Sequence, residues 1–249
     1  MELWVVLAVA SAAFLIAGAV KGLTGLGLPT VSLALMTVSL EPRVALALVM
    51  APMIGSNAWQ IFRSGYARRT WRRYRLFAGV MVVLVVLTAV AARGVGDRIL
   101  LGVLGVAVLL FVWVSWRKLI PPLPARLNTA AQIGFGAATG LVGGLTAGWA
   151  APLALYLAAR GVDKNEFVRA TGFLIFVGSI PLAVTYFGMG FLTPTLAAAS
   201  MLMLIPTLIG YTLGEVLRSR LSAEGFRSDL LVVFVVLALN LLRRAIWGG

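Results

Sequence analysis

The groups best suited to bind a small charged ligand gather at two glycine-rich runs of the chain. Residues 21–27 read KGLTGLG and residues 143–148 read GGLTAG, so that a shared Gly-Leu-Thr recurs 122 positions later. Glycine readily interrupts a helix, and an interrupted helix inside a bilayer leaves N–H and C=O groups that hydrocarbon cannot satisfy. Matching interruptions in two halves of a chain are typical of a transporter, and we predict that the two breaks meet at one binding site.

Seven residues of these runs, together with Asn57 in the third apolar segment, are the candidates for contact with a substrate. Lys21 supplies positive charge, and a helix that begins near Leu28 adds partial positive charge from its N-terminus. Glycines let the backbone approach a ligand, while threonine hydroxyls and the asparagine amide donate hydrogen bonds to oxyanion oxygens. The predicted substrate-binding set is Lys21, Gly22, Thr24, Gly25, Asn57, Gly144, Thr146 and Gly148.

Each candidate also has a purely structural interpretation. Lys21 reaches the membrane surface and snorkels if the segment before it crosses the bilayer completely. Thr24 and Thr146 hydrogen-bond to the backbone of their own helix and ease the break. Glycines at four-residue spacing pack helices closely, and Asn57 joins helices through hydrogen bonds. The sequence leaves these alternatives open.

Composition places these residues in a membrane protein. Of the 249 residues, 61% are hydrophobic and 12% are charged, whereas soluble domains are about 25% charged. Apolar runs of the kind that cross a bilayer, which takes about 20 residues of helix, recur at 76–92, 99–116 and 230–242. There is no cysteine and no histidine. This excludes disulfides and thiolate or imidazole metal ligands, and we expect no metal and no cofactor.

Acidic residues are few, and their positions favour an anion pathway. The chain has eight, and all but Glu215 fall in predicted loops or at the termini. We interpret Glu215 as half of an interfacial ion pair near Arg218; the alternative is a proton-coupling carboxylate. Without a carboxylate in the predicted core, a cation carrier is disfavoured.

Apolar segments, prolines and charges divide the chain into two halves of five segments each. The first repeat, residues 1–116, has segments at 3–20, 28–40, 43–62, 76–92 and 99–116, and the second, residues 128–249, has them at 128–142, 149–159, 167–187, 195–217 and 228–247. A proline-containing hinge, residues 117–127, joins the repeats. We predict an all-α polytopic membrane protein with eight to ten transmembrane or re-entrant helices and a glycine-broken first helix in each repeat.

Basic residues set the predicted orientation. The loop at 63–75 carries six arginines, whereas its counterpart around 188–194 carries no basic residue, so the two repeats are predicted to lie inverted. With the hinge in the cytoplasm, fifteen of the 21 Lys and Arg lie inside and five outside, as the positive-inside rule requires. We therefore predict a multi-pass protein of the cell (inner) membrane with both termini outside. The net charge of +13 is assigned to orientation and to anionic lipid headgroups of the bilayer, not to nucleic acid.

Residues 17–29, AGAVKGLTGLGLP, and residues 140–148, GLVGGLTAG, followed by Pro152, resemble the sulfite exporter TauE/SafE family of anion transporters. The resemblance extends over the whole chain in size, duplication and the position of both glycine runs. It implies movement of small anions such as sulfite, sulfonates or other sulfur oxyanions, commonly outward. The chain departs from many members at the second run, where Ala147 and Trp149 replace a longer run of glycines.

These observations predict a transporter, not an enzyme, that exports a small anionic substrate by alternating access at a midplane site. One alternative is a drug/metabolite-type exporter of a small organic solute, which would move uncharged compounds. A membrane-embedded enzyme lacks general acid–base candidates, and a subunit that only anchors a partner would copurify with it. The sequence is compatible with a monomer or with a homodimer.

Overall fold

The computed structural model of the chain describes residues 3–116, 122–220 and 223–247. All regular structure in these residues is helical. The α-helices are α1 (Leu3–Thr24), α2 (Leu28–Met36), α3 (Pro42–Leu48), α4 (Met50–Ser64), α5 (Ala67–Ala91), α6 (Asp97–Trp116), α7 (Asn128–Thr146), α8 (Ala150–Ala159), α9 (Lys164–Gly188), α10 (Pro194–Leu202), α11 (Leu204–Arg220) and α12 (Ala223–Trp247). The start of the predicted hinge, residues 117–121, lies outside the described residues.

Five helical stretches in the described residues are long and apolar enough to cross a membrane. They have 21 to 28 residues, and a crossing takes about 20. They are Trp4–Thr24, Pro42–Arg63, Ala67–Gly94, Lys164–Gly188 and Pro194–Leu217. In contrast, α2 has nine residues and α8 has ten, and both are almost entirely buried by neighbouring helices. The chain is therefore an all-helical membrane protein, as its composition predicts.

The helices match the predicted segments but several extend further. The segment at 3–20 continues to Thr24, the segment at 128–142 continues to Thr146, and the segment at 76–92 already begins at Ala67. Most of the arginine-rich stretch predicted as a loop is therefore the start of α5. The physical reason is that hydropathy marks only the part of a helix that suits hydrocarbon, whereas backbone hydrogen bonds continue the helix into the polar interface.

The helices α3 and α4 form one bent helix, as do α10 and α11. The first bend lies at Val49, three residues before Pro52, which has no N–H to donate to the Leu48 carbonyl. A serine of α10 compensates for this loss: Ser200 Oγ donates to the Leu48 carbonyl at 2.8 Å and accepts from the Ala51 N–H at 2.9 Å. The proline bend thus joins α10 to the α3–α4 helix.

Glycines bring two pairs of helices into backbone contact. In the pair α1 and α11, Gly18 and Gly22 lie against the backbone of α11, and Gly210 and Gly214 lie against the backbone of α1. In the pair α5 and α7, three glycines of α7 at four-residue spacing lie against the backbone of α5. Close helix packing was one interpretation of these glycines from the sequence. It is present in both pairs.

The two glycine-rich breaks lie at opposite ends of the helices. At one end α1 stops, Gly25 contacts Val168 of α9, and Arg73 near the start of α5 pairs with Glu166 at 2.6 Å. The last turns of α5, at the other end, contact Gly144 of α7. The helices α1 and α7 have 22 and 19 residues, about 33 and 28 Å at 1.5 Å per residue, so each nearly crosses the hydrocarbon before its break.

Candidate functional site

Lys21 lies in the last turn of α1 and is only 2% exposed. Its Nζ donates to Ser56 Oγ at 3.0 Å and to Asn57 Oδ1 at 2.5 Å, both on α4. The side chain therefore does not snorkel to the surface, although α1 is long enough to span a bilayer. Two candidates predicted separately from the sequence, Lys21 and Asn57, are hydrogen-bonded to each other.

A polar face on α4 holds the lysine. Ser56, Asn57 and Gln60 are buried, and residues three and four apart lie on one side of a helix. Asn57 Nδ2 donates to the Met53 carbonyl at 2.7 Å, which turns Oδ1 toward Lys21. The predicted site included Asn57 but not Ser56 and Gln60. Gln60 lies four residues after Ser56 and three after Asn57, and this helical spacing was the available signal.

No carboxylate pairs with Lys21 in the part of the chain that the structure describes. The ion pairs found there are Arg43–Asp97 at 3.4 Å, Arg63–Glu215 at 2.7 Å and Arg73–Glu166 at 2.6 Å. Glu215 was predicted to form an ion pair near Arg218; the partner that the structure gives it is Arg63 of α4. The partners of Lys21 are neutral: they accept from two of its three N–H groups and leave its charge without a counter-charge among the described residues. A cationic group in such surroundings attracts an anion.

The first break joins α1 to α9. Gly25 adopts a left-handed conformation with φ of 81°, which ends the helix, and its N–H donates to the Lys21 carbonyl at 2.7 Å. Val168 of α9 packs against Gly25, and a Cβ at Gly25 would come within 2.7 Å of it. The Val168 carbonyl accepts a hydrogen bond from Gln60 Nε2. The break, the lysine and the polar face of α4 therefore form one cluster.

Thr24 and Thr146 play the same part at the two breaks. Thr24 Oγ1 donates to the Val20 carbonyl at 2.9 Å, and Thr146 Oγ1 donates to the Val142 carbonyl at 2.9 Å. Each hydroxyl also accepts from the N–H two residues later, at 3.2 Å in both cases. The alternative in which the threonines bond to their own backbone is the one present. They supply an acceptor to an N–H that the broken helix leaves unpaired.

Three of the predicted glycines lie in close contacts with protein. Gly22 faces the α11 backbone and Gly144 faces the α5 backbone. The Gly148 N–H donates to Thr146, and its neighbours include Ala107 of α6. The expectation that the two breaks meet therefore differs from the structure, which places Gly25 and Gly148 among different helices.

Trp149 connects the second break to the lysine cluster. Its ring lies against Gly143 and Gly178, and its Nε1–H donates to Met53 Sδ at 3.2 Å. Gly143 is the residue 122 positions after Lys21. The indole of Trp149 therefore lies against the position that the 122-residue spacing pairs with Lys21. At this spacing Lys21 and Gly27 pair with Gly143 and Trp149, and this exchange of a large for a small residue was the available signal.

Arginines surround the end of the molecule at which the first break lies. A cavity of about 400 Å³ is lined by Gly65, Tyr66, Arg68, Arg69 and Arg72. Beside it, a cavity of about 100 Å³ is lined by residues of α5 and α9 that include Arg69, Arg73, Glu166 and Arg169. Asp163 caps α9, and a hydrogen bond from the Glu166 N–H is the main cause of its lowered pKa. The excess of positive charge raises the local concentration of anions.

The acidic residues do not assemble into a metal centre in the described ranges. No group of three His, Cys, Asp or Glu residues close enough to hold a metal ion is found within residues 3–116, 122–220 and 223–247. The chemistry available at the cluster is binding by charge and hydrogen bonds.

The sulfite exporter TauE/SafE family matches residues 10–241, a range that contains both breaks, the polar face of α4 and Trp149. The chain belongs to this family. The resemblance carried by the two glycine runs is thereby confirmed. No match to the chain was found among curated proteins or among solved structures.

Membership of the TauE/SafE family implies a membrane transporter of sulfur-containing anions such as sulfite. Members of the family are transporters and not enzymes. For this TauE/SafE protein the buried cluster at the end of α1 is the group of described residues whose chemistry fits that cargo, because it presents a cation with neutral partners.

Proposed function

We propose that this protein exports small sulfur-containing anions, such as sulfite and sulfonates, and that Lys21 binds the anion. The observation that carries the proposal is the Lys21 ammonium, buried in a spanning helix, whose hydrogen-bonded partners among the described residues are Ser56 and Asn57. A buried charge is costly in a membrane unless it is paired. The missing counter-charge is supplied by the transported anion.

The proposal includes two inverted repeats that move by alternating access. It is supported by packing in which the halves exchange roles: α1 of the first half packs on α11, and α7 of the second half packs on α5. In this proposal, each of the two glycine-broken first helices opens one end of the pathway. Lys21, Gly22, Thr24, Gly25 and Asn57 belong to the inner end, and Gly144, Thr146 and Gly148 belong to the outer end.

The test is sulfite flux in proteoliposomes with Lys21→Met, which keeps the length of the side chain and removes its charge. We expect flux to fall at least tenfold, the factor that about 1.4 kcal/mol of binding represents. Sulfite should also cease to raise the thermal unfolding temperature of the variant. Lys164→Met is the matched control, because Lys164 is exposed at the start of α9 and should leave both readouts unchanged.

Two results would contradict the proposal. Wild-type flux in Lys21→Met, with the variant folded, would remove Lys21 from the pathway. Flux of uncharged organic solutes in place of sulfite and methanesulfonate would favour the drug/metabolite-type exporter. Export is checked separately in cells, where expression of the wild-type protein should increase release of sulfite relative to Lys21→Met.

A further inference from the structure

Gln60 is a buried residue of the cluster with an unused hydrogen-bond acceptor. It lies on the polar face of α4, one turn after Ser56, and is 5% exposed. Its Nε2 donates to the Val168 carbonyl, whereas its Oε1 has no hydrogen-bond partner among the described residues. Leaving a buried acceptor unsatisfied costs about 1–3 kcal/mol, so its retention calls for a reason.

The surroundings determine which way the Gln60 amide points. The Val168 carbonyl can only accept, so the group that faces it must be the NH₂ and not the oxygen. Gly172 leaves the space that the carboxamide occupies, since a Cβ there would come within 2.7 Å of its carbon. The unpaired group is thus a carbonyl oxygen, which accepts a proton and repels an anionic oxygen.

The cluster offers one positive charge to a ligand. Lys21 is bonded to the same face of α4 as Gln60. Three arginines of the surrounding helices are engaged with other residues: Arg63 with Glu215, Arg73 with Glu166, and Arg169 over the ring of Tyr66 at 3.8 Å. One cation and one acceptor together match an anion that carries a single charge and one O–H.

We propose that Gln60 selects the monoprotonated form of the substrate, hydrogen sulfite in its O–H form, over the sulfite dianion. Lys21 binds the charge, and Gln60 Oε1 accepts the hydrogen bond from the O–H. A dianion would direct lone pairs at the carbonyl oxygen and leave half its charge unmatched, so it is discriminated against by repulsion. This inference rests on the proposed function and makes Gln60 a specificity-determining residue of the same site.

The experiment compares sulfite with methanesulfonate, which is a monoanion without an O–H, in proteoliposomes over a pH series. In the wild-type protein, sulfite flux should decline as pH rises through the second ionisation of sulfurous acid, while methanesulfonate flux stays constant. Methanesulfonate thereby controls for any loss of charge on Lys21. In Gln60→Leu the preference for hydrogen sulfite over methanesulfonate should fall about tenfold, as expected for a lost buried hydrogen bond.

Gln132→Leu is the matched control, because Gln132 is also buried but its Oε1 already accepts from the Phe77 N–H at 3.2 Å. It should keep the wild-type preference. If Gln60→Leu does not fold, Gly172→Ala displaces the same carboxamide and should shift the preference in the same direction. Sulfite flux that tracks the dianion, or an unchanged preference in folded Gln60 and Gly172 variants, overturns this inference alone. Absence of sulfite flux from the wild-type protein overturns the proposed function instead.

Discussion

At the scale of single residues, the groups that accept hydrogen bonds from Lys21 are neutral, so they position the lysine without neutralising its charge. Ser56 and Asn57 accept two hydrogen bonds from Lys21 and hold it in place. A carboxylate in the same position would neutralise the lysine permanently and compete with an incoming anion. Neutral partners position the ammonium group and leave its charge available, which a site that must bind and release an anion requires.

The threonines at the breaks show how a residue-scale detail stabilises an interrupted helix. Thr146 is buried, whereas Thr24 is exposed, although both accept from the N–H two residues later. Water can replace the exposed hydroxyl but not the buried one. The cost of losing the hydroxyl should therefore differ between two otherwise equivalent positions.

We expect Thr146→Val to destabilise the protein by about 1–3 kcal/mol, because it leaves the Gly148 N–H without its acceptor. Thr24→Val should cost less. Thermal unfolding in detergent measures both, with Thr212→Val as control, since the exposed Thr212 bonds only to its own helix. If Thr146→Val and Thr24→Val lower the unfolding temperature equally, burial of the Thr146 hydroxyl does not add the stabilisation assigned to it.

At the scale of helices, association in lipid depends on close packing, because hydrocarbon solvates apolar side chains as well as a neighbouring helix does. The pair α1 and α11 achieves this with glycines on both members. A Cβ at Gly210 would come within 2.1 Å of the Leu15 carbonyl oxygen, so the backbones themselves are in contact. Rigid contact between these helices would let them move as one body during transport.

Gly210→Ala should therefore destabilise the protein by about 1–3 kcal/mol through overpacking. Gly79→Ala is the control: Gly79 lies within α5 with no atom within 4 Å of the added carbon, and alanine is the better helix former by up to about 1 kcal/mol. Thermal unfolding and size-exclusion profiles in detergent compare the two. An unchanged unfolding temperature in Gly210→Ala would mean that α1 and α11 can move apart at little cost in free energy.

At the scale of the whole molecule, the two breaks lie at opposite ends and are connected through α4. Met53 accepts from Trp149 on one side and from Asn57 on the other, so it links the second break to the lysine cluster. We expect a movement of either break to reach the proposed binding site through these contacts. This arrangement suits alternating access better than two breaks at one point, since each end has its own opening element.

The proposed inversion predicts opposite exposure of two loops. Gly65 and Gly190 have left-handed backbones, so cysteines are better introduced at the exposed Arg68 and Thr195. In this cysteine-free chain Arg68→Cys should react with an impermeant thiol reagent only from the cytoplasmic side, and Thr195→Cys only from outside. Labelling of both from the same side would refute the inverted orientation, with the unsubstituted chain as the background control.

Much of the helical organisation could be predicted because its causes are local. Leu28 begins the second helix, as predicted, since Gly27 before it has a left-handed φ of 97° and Pro29 suits a first turn. The start of α5 was missed because its arginines read as a loop. Hydropathy marks where a helix leaves the hydrocarbon, but it does not show that the helical hydrogen bonds continue beyond that boundary.

The sequence was enough to identify an all-helical membrane protein and its resemblance to an anion-transporter family, and it predicted a charged site at Lys21 and Asn57. Those features follow from composition, apolar run length and glycine position, which each segment carries alone. Helix packing was needed to show that Lys21 contacts α4, that Trp149 packs against Gly143 and Met53, and that the breaks lie at opposite ends. Those facts depend on which helix faces pack together, and helices far apart in sequence set that packing jointly.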